Sequence, residues 1–245
     1  MSDDRMSNRR CAMFYLPGFF ATVAIIFGTA ANFFCETVKF TQVSGNGDAS
    51  LYVSPWNFRT KGSFEVNGDV WVYNTCQYYS SLEDNYGFDF SVDAKTRTVW
   101  AFSIMTPILG GLLLLPACLG PCRTVSPSAW KCLGYLLIIA GAFQGLTLMV
   151  QSSSICNNNP IMQYFDVVAG DFADTFPDTC EWATGYALNI TSVICWILAG
   201  VLAITLPSPE IFPAEPPQEQ TVTYTQTADG KVAETNLTVV KGTAV

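Results

Sequence analysis

Histidine is absent from the 245-residue chain, and only 13% of residues are charged, 12 Lys and Arg against 20 Asp and Glu. Without imidazole the commonest general base and metal ligand is missing, and serine or cysteine nucleophiles lose the partner that ordinarily activates them. A net charge of −8 leaves no basic surface of the kind that neutralises phosphates, so nucleic acid is excluded as a partner. So little charge also argues against an ordinary soluble domain. Neither a cofactor nor an enzymatic activity is expected from such an inventory.

What is present is apolar: half of the residues are hydrophobic, and four runs hold most of them. Residues 13–34, 99–119, 129–150 and 183–206 each hold about 20 residues or more, enough to cross about 30 Å of hydrocarbon at 1.5 Å per residue. Their only charge is Lys131, at the entrance to the third run. The fold class expected is an all-α membrane protein, a four-transmembrane-helix bundle.

Orientation follows from the flanks. The N-terminal tail, residues 1–12, carries Arg5, Arg9 and Arg10, and the short connection, 120–128, carries Arg123, with Lys131 just after it. The connection 151–182 has no basic residue and five acids, Asp166, Asp171, Asp174, Asp178 and Glu181. Positive residues favour the cytoplasmic side, which puts both termini inside and leaves two outer loops, 35–98 and 151–182. The plasma membrane is the expected location.

Nine cysteines sort on this topology. Cys35, Cys76, Cys156 and Cys180 fall outside, where an oxidising compartment implies two disulfides. Three pairings can be drawn; the economical one closes each loop on itself, Cys35 with Cys76 and Cys156 with Cys180. Cys11, Cys118, Cys122 and Cys132 lie at the inner boundary, the usual setting for palmitoylation, with ordinary reduced thiols as the plain alternative. Cys195 reads as a packing residue.

Within the helices, Gly18, Ala21, Ala24, Gly28 and Ala31 share one face, and Gly141 and Gly145 form a GxxxG pair, both suited to close approach in lipid. Gln144, Asn189 and Thr191 read as interhelical hydrogen-bonding groups. The first outer loop reads as a small antiparallel sheet: strands at Ser50 to Phe58, Ser63 to Val66, Asp69 to Cys76 and Gly87 to Val92, with an Asn67-Gly68 turn of the type I′ kind. After residue 206 a proline-rich and then threonine-rich stretch, 207–245, reads as a disordered tail. Its end, Thr243 to Val245, fits capture by a PDZ-type scaffold.

The whole layout, from about residue 10 to 207, resembles the claudin-like tetraspan superfamily, which includes claudins and peripheral myelin proteins. Gly68, Trp71 and Cys76 resemble that family's first-loop signature, and Arg97 stands where claudins carry a basic residue before the second helix. The signature's leucine and a second cysteine soon after Cys76 are missing, which leaves Cys35 as the substitute partner. The resemblance implies an outer contact surface, with Trp71 turned inward and binding determinants near the loop tips at Asn67, Asp69 and Asn85. The function expected is organisation of cell–cell or lateral contacts, with lipids, other membrane proteins or further copies of the chain as partners. The alternative is a subunit of an oligomeric channel or transporter whose acidic loops attract cations.

Overall fold

A computed structural model describes residues 3–42, 49–62, 64–66, 69–71, 75–80, 92–120, 125–157, 159–163, 176–208, 224–226 and 232–234. Four helices are long and apolar enough to cross a membrane. They are α1 (Asp3–Phe33), α2 (Ala94–Leu119), α3 (Pro127–Thr147) and α4 (Thr184–Thr205), with a 3-10 turn, Leu148–Ser152, continuing α3. The helices pack in a ring, α1 on α2, α2 on α3, α3 on α4 and α4 back on α1.

Local chemistry sets the ends. The Asp93 carboxylate accepts from the Thr96 amide at 2.9 Å and caps α2; Ser126 caps α3, and Pro127 opens it, where its missing N–H costs nothing. The α1 helix begins ten residues before the apolar run. Pro17 lies inside it, and Pro107 and Pro116 lie inside α2.

Helix contact follows the small residues. Ala21, Ala24 and Ala31 are fully buried, and a Cβ on Gly28 would lie 2.7 Å from Gln144 Oε1 and 2.8 Å from Ser192 Oγ. The α1 stripe therefore faces its own bundle. The closest crossing was not singled out from sequence: a Cβ on Gly200 would meet the Gly134 carbonyl oxygen at 2.7 Å, so α3 and α4 touch backbone to backbone. In the expected GxxxG pair only Gly141 is at a contact, against Trp196, while Gly145 has open space. Large apolar residues such as Phe19, Ile26, Ile108, Leu112, Leu115 and Ile194 are exposed around the ring, a belt that suits lipid and not water.

At one end of the bundle stands a five-stranded antiparallel sheet in the order β6-β3-β2-β1-β7. Its strands are β1 (Val38–Thr41), β2 (Ser50–Val53), β3 (Asn57–Lys61), β6 (Gln77–Tyr78) and β7 (Glu181–Trp182). Two expectations are corrected here. The segment Ser50 to Phe58 is two strands, because Pro55 cannot donate to a ladder and turns the chain at Pro55-Trp56, closed by the Ser54 amide on the Asn57 carbonyl at 2.8 Å. The sheet is also not confined to the connection 35–98: β7 comes from 151–182 and pairs with β1, Val38 opposite Trp182 and Lys39 opposite Glu181.

The two strands expected on either side of Asn67-Gly68 pair as β4 (Phe64–Val66) and β5 (Asp69–Trp71), a separate two-stranded sheet with Val66 opposite Asp69, while Asn67 and Gly68 themselves lie outside the described residues. The second strand of this pair is described as far as Trp71, residues 72–74 lie outside the described residues, and Cys76, expected at that strand's end, directly precedes β6. The stretch 87–91 of the last expected strand lies outside the described residues. Beyond the bundle, β8 (Tyr224–Gln226) and β9 (Val232–Glu234) pair within the region read as an unstructured tail.

Candidate contact surface at the sheet end

The sheet has a buried face and an open one. Val38, Phe40, Leu51, Val53 and Phe58 pack with Val99, Val150, Ile155, Ile161, Phe176 and Tyr186 into one core, separate from the core inside the bundle. By strict alternation the residues between them turn the other way.

That open face carries a charged row across four strands. Glu181 lies opposite Lys39, Lys39 opposite Tyr52, and Tyr52 opposite Arg59. Lys39 Nζ bonds Glu181 Oε2 at 3.0 Å. The Arg59 guanidinium sits over the Tyr52 ring, 5.3 Å from its centroid, and forms an ion pair with Glu36. The hydrogen bond to Glu181, and then its charge, raise the Lys39 pKa. The next row outward, Thr41, Ser50 and Lys61, is polar as well. Lys39 and Arg59 are therefore each paired with an acid, and Glu181, one of the acids expected to draw cations, is already engaged.

How the sheet is held on the bundle decides whether it is a rigid platform. A helix ends with four carbonyls lacking partners, and three of those of α1 are met by side chains around the sheet. Thr37 Oγ1 donates to the Ala31 carbonyl at 2.9 Å, Ser54 Oγ to Asn32 at 3.4 Å, and Asn57 Nδ2 to Phe33 at 2.9 Å. Tyr79, buried beside them, donates its hydroxyl to the Ser54 carbonyl at 2.6 Å and stacks on Phe58 at 5.9 Å. Burial pushes its pKa well above the ordinary tyrosine value, against the smaller opposing effect of that bond.

On the other flank the Pro55-Trp56 turn is fastened to α2. Trp56 stacks on Trp100 with centroids 5.4 Å apart, its indole N–H donates to Ser103 Oγ at 2.8 Å, and Trp100 donates to the Pro55 carbonyl. Trp56 and Trp100 carried no expectation from sequence, although a Pro-Trp pair and an indole nearly two turns into α2 were the available signals.

The two long connections are also tied to each other. Asp93 accepts from Ser154 Oγ at 3.1 Å as well as from Thr96, and Lys95 donates to the Ser152 carbonyl at 2.8 Å. Desolvation pushes the Asp93 carboxyl pKa up, but the Thr96 and Ser154 hydrogen bonds together outweigh it and hold the group below its ordinary value. Disulfides join Cys35 to Cys76 and Cys156 to Cys180, with Cα atoms 5.9 and 5.1 Å apart. Each bridge ends immediately before an edge strand, Cys76 before β6 and Cys180 before β7. A two-residue strand has too few ladder bonds to hold itself in place, so the cystines locate both edges.

Other expected site residues fall elsewhere. Asp69 and Trp71 are strand positions of β5, while Asn67, Asn85, Cys122, Thr243 and Val245 lie outside the described residues. Cys118 and Cys132 are exposed free thiols at the end of the bundle away from the sheet, Cys11 is a position on α1, and Cys195 is free and buried. Among the described residues no group of three or more Cys, Asp or Glu could hold a metal ion.

Inside the bundle Gln144 Nε2 donates to Asn189 Oδ1 at 2.7 Å, and Asn189 Nδ2 to Thr147 Oγ1 at 2.6 Å. Ser192 Oγ donates to the Ala24 carbonyl at 2.6 Å. Thr191 is a correction: it is exposed and bonds only the Ala187 carbonyl of its own helix. The chain matches no protein-family model and no curated protein.

Proposed function

We propose that this is a non-enzymatic integral membrane protein of the plasma membrane, claudin-like in layout, whose sheet end faces outward and organises contacts between cells or between proteins of one membrane. The observation that carries the reading is the joint construction of the sheet. Both long connections contribute strands, and side chains around the sheet cap the end of α1 through Thr37, Ser54 and Asn57. A surface fixed in this way loses little conformational entropy when a partner binds. Its open face presents Tyr52, Arg59 and Lys61, residue types suited to protein contacts at the aromatic and arginine positions.

The channel alternative needs free charge along a path. The paired state of Glu181 and the amide and hydroxyl character of the Gln144, Asn189 and Thr147 cluster support contact over conduction, since ion and proton pathways in membranes ordinarily use ionisable groups.

The test compares Tyr52→Ala and Lys61→Glu with the unaltered protein, scoring association between differently tagged copies and partner proteins, and conductance in reconstituted vesicles. Loss of an interface anchor should weaken association about tenfold or more and leave conductance at the empty-vesicle level. Intact association with a conductance that changes at Lys61→Glu would favour the channel.

A further inference from the structure

We propose that Tyr78 and Trp182, at the two edges of the sheet, together with Phe34 at the end of α1, are seated in the lipid headgroup layer and fix the level at which the sheet leaves the membrane. The inference rests on the membrane reading above. All three side chains are strongly exposed, Tyr78 at 62%, Trp182 at 58% and Phe34 at 63%.

Their place in the fold puts them at one level. Strands of an antiparallel sheet alternate in direction, so the bundle-proximal ends are the start of β1, the end of β2, the start of β3 and the ends of β6 and β7. Trp182 ends β7 opposite Val38, two residues before α4, and its ring lies 4.8 Å from that of Tyr186 in the first turn of α4. Tyr78 ends β6 opposite Asn57, whose amide holds the carbonyl of Phe33, the last residue of α1.

Below this level the exposed surface is the apolar belt of the helices, and above it is the charged row Glu181, Lys39, Tyr52 and Arg59. The aromatics thus mark the boundary between an oily and a polar surface. Tryptophan and tyrosine, with an apolar ring and one polar group, are enriched where hydrocarbon meets headgroups. Continuity with the helix belt commits the occupant to lipid. A consequence follows for partners: with both edge strands two residues long and seated at the bilayer surface, strand addition at the edges is disfavoured, and approach is left to the open face.

The experiment attaches a nitroxide to Tyr78→Cys, Trp182→Cys or Phe34→Cys, in protein whose unpaired cysteines are serine, reconstituted in phosphatidylcholine bilayers. Accessibility to oxygen and to a water-soluble nickel chelate reads depth, with Lys61→Cys and Ile108→Cys as references. Labels at the three sites should read between the two references, at headgroup depth. Readings equal to that of Lys61→Cys would overturn the proposal. Dipolar broadening that grows with the protein-to-lipid ratio would also overturn it, by giving the aromatics to a second copy. The Phe34 label keeps the test open if a sheet variant misfolds. An aqueous reading at Ile108 would instead remove the membrane reading on which the inference stands.

Discussion

At the residue scale, a lone amide in an apolar run has few ways to be satisfied except by another polar group across the bundle. Gln144 and Asn189 meet as that logic requires, whereas Thr191, two positions on and so about 200° around the helix, faces outward. Replacing either amide alone with leucine strands its partner, a loss of about 1–3 kcal/mol; the double variant Gln144→Leu with Asn189→Leu should cost clearly less than the sum, measured by thermal unfolding in nanodiscs. The caps on α1 were not legible, since Ser54 and Asn57 act on residues 22 and 24 positions away. Asp93 gives a pH test. Its folded-state pKa is lowered, so its contribution is full above the unfolded value and is lost as pH falls through the folded one. Asp93→Ala should lower stability by about 1 kcal/mol near neutral pH, as for a lost N-cap, and the difference from the unaltered protein should shrink on acidification.

At the scale of elements, the helices could be read because about 20 uncharged apolar residues leave no other solution. The cysteine pairs were legible as the economical choice among three. The strand β7 was not: Glu181-Trp182 is too short to show a period of two, and its pairing with β1 arises only when α1 and α4 lie side by side. Pro55 was an overlooked signal, for its missing N–H splits the expected strand into β2 and β3. Because each cystine precedes an edge strand, the pair Cys156→Ser with Cys180→Ser should do more than lower stability. In the chain-entropy account, opening a loop of 24 residues costs about 3 kcal/mol. The distinctive expectation is faster hydrogen exchange at the amides of β1 that face β7, with β2 and β3 unchanged; uniform loosening of all five strands would mean that the bridge supports the whole sheet and not its edge.

For the molecule as a whole, composition pointed to four crossings and flank charge to an orientation, yet nothing local revealed that the two long connections build one object. That union concentrates polar, partly exposed side chains on one face above an apolar belt, and it is why contact is the function proposed. The proposed function requires an orientation in which this face looks outward while the termini and the connection between α2 and α3 look inward. It is tested most directly in sealed cells by an impermeant maleimide on Lys61→Cys, with Ser128→Cys as the inward reference. Labelling of position 61 from outside, and of position 128 only after permeabilisation, is the expected result. Labelling of position 61 only after permeabilisation would place the sheet in the cytoplasm and contradict the account.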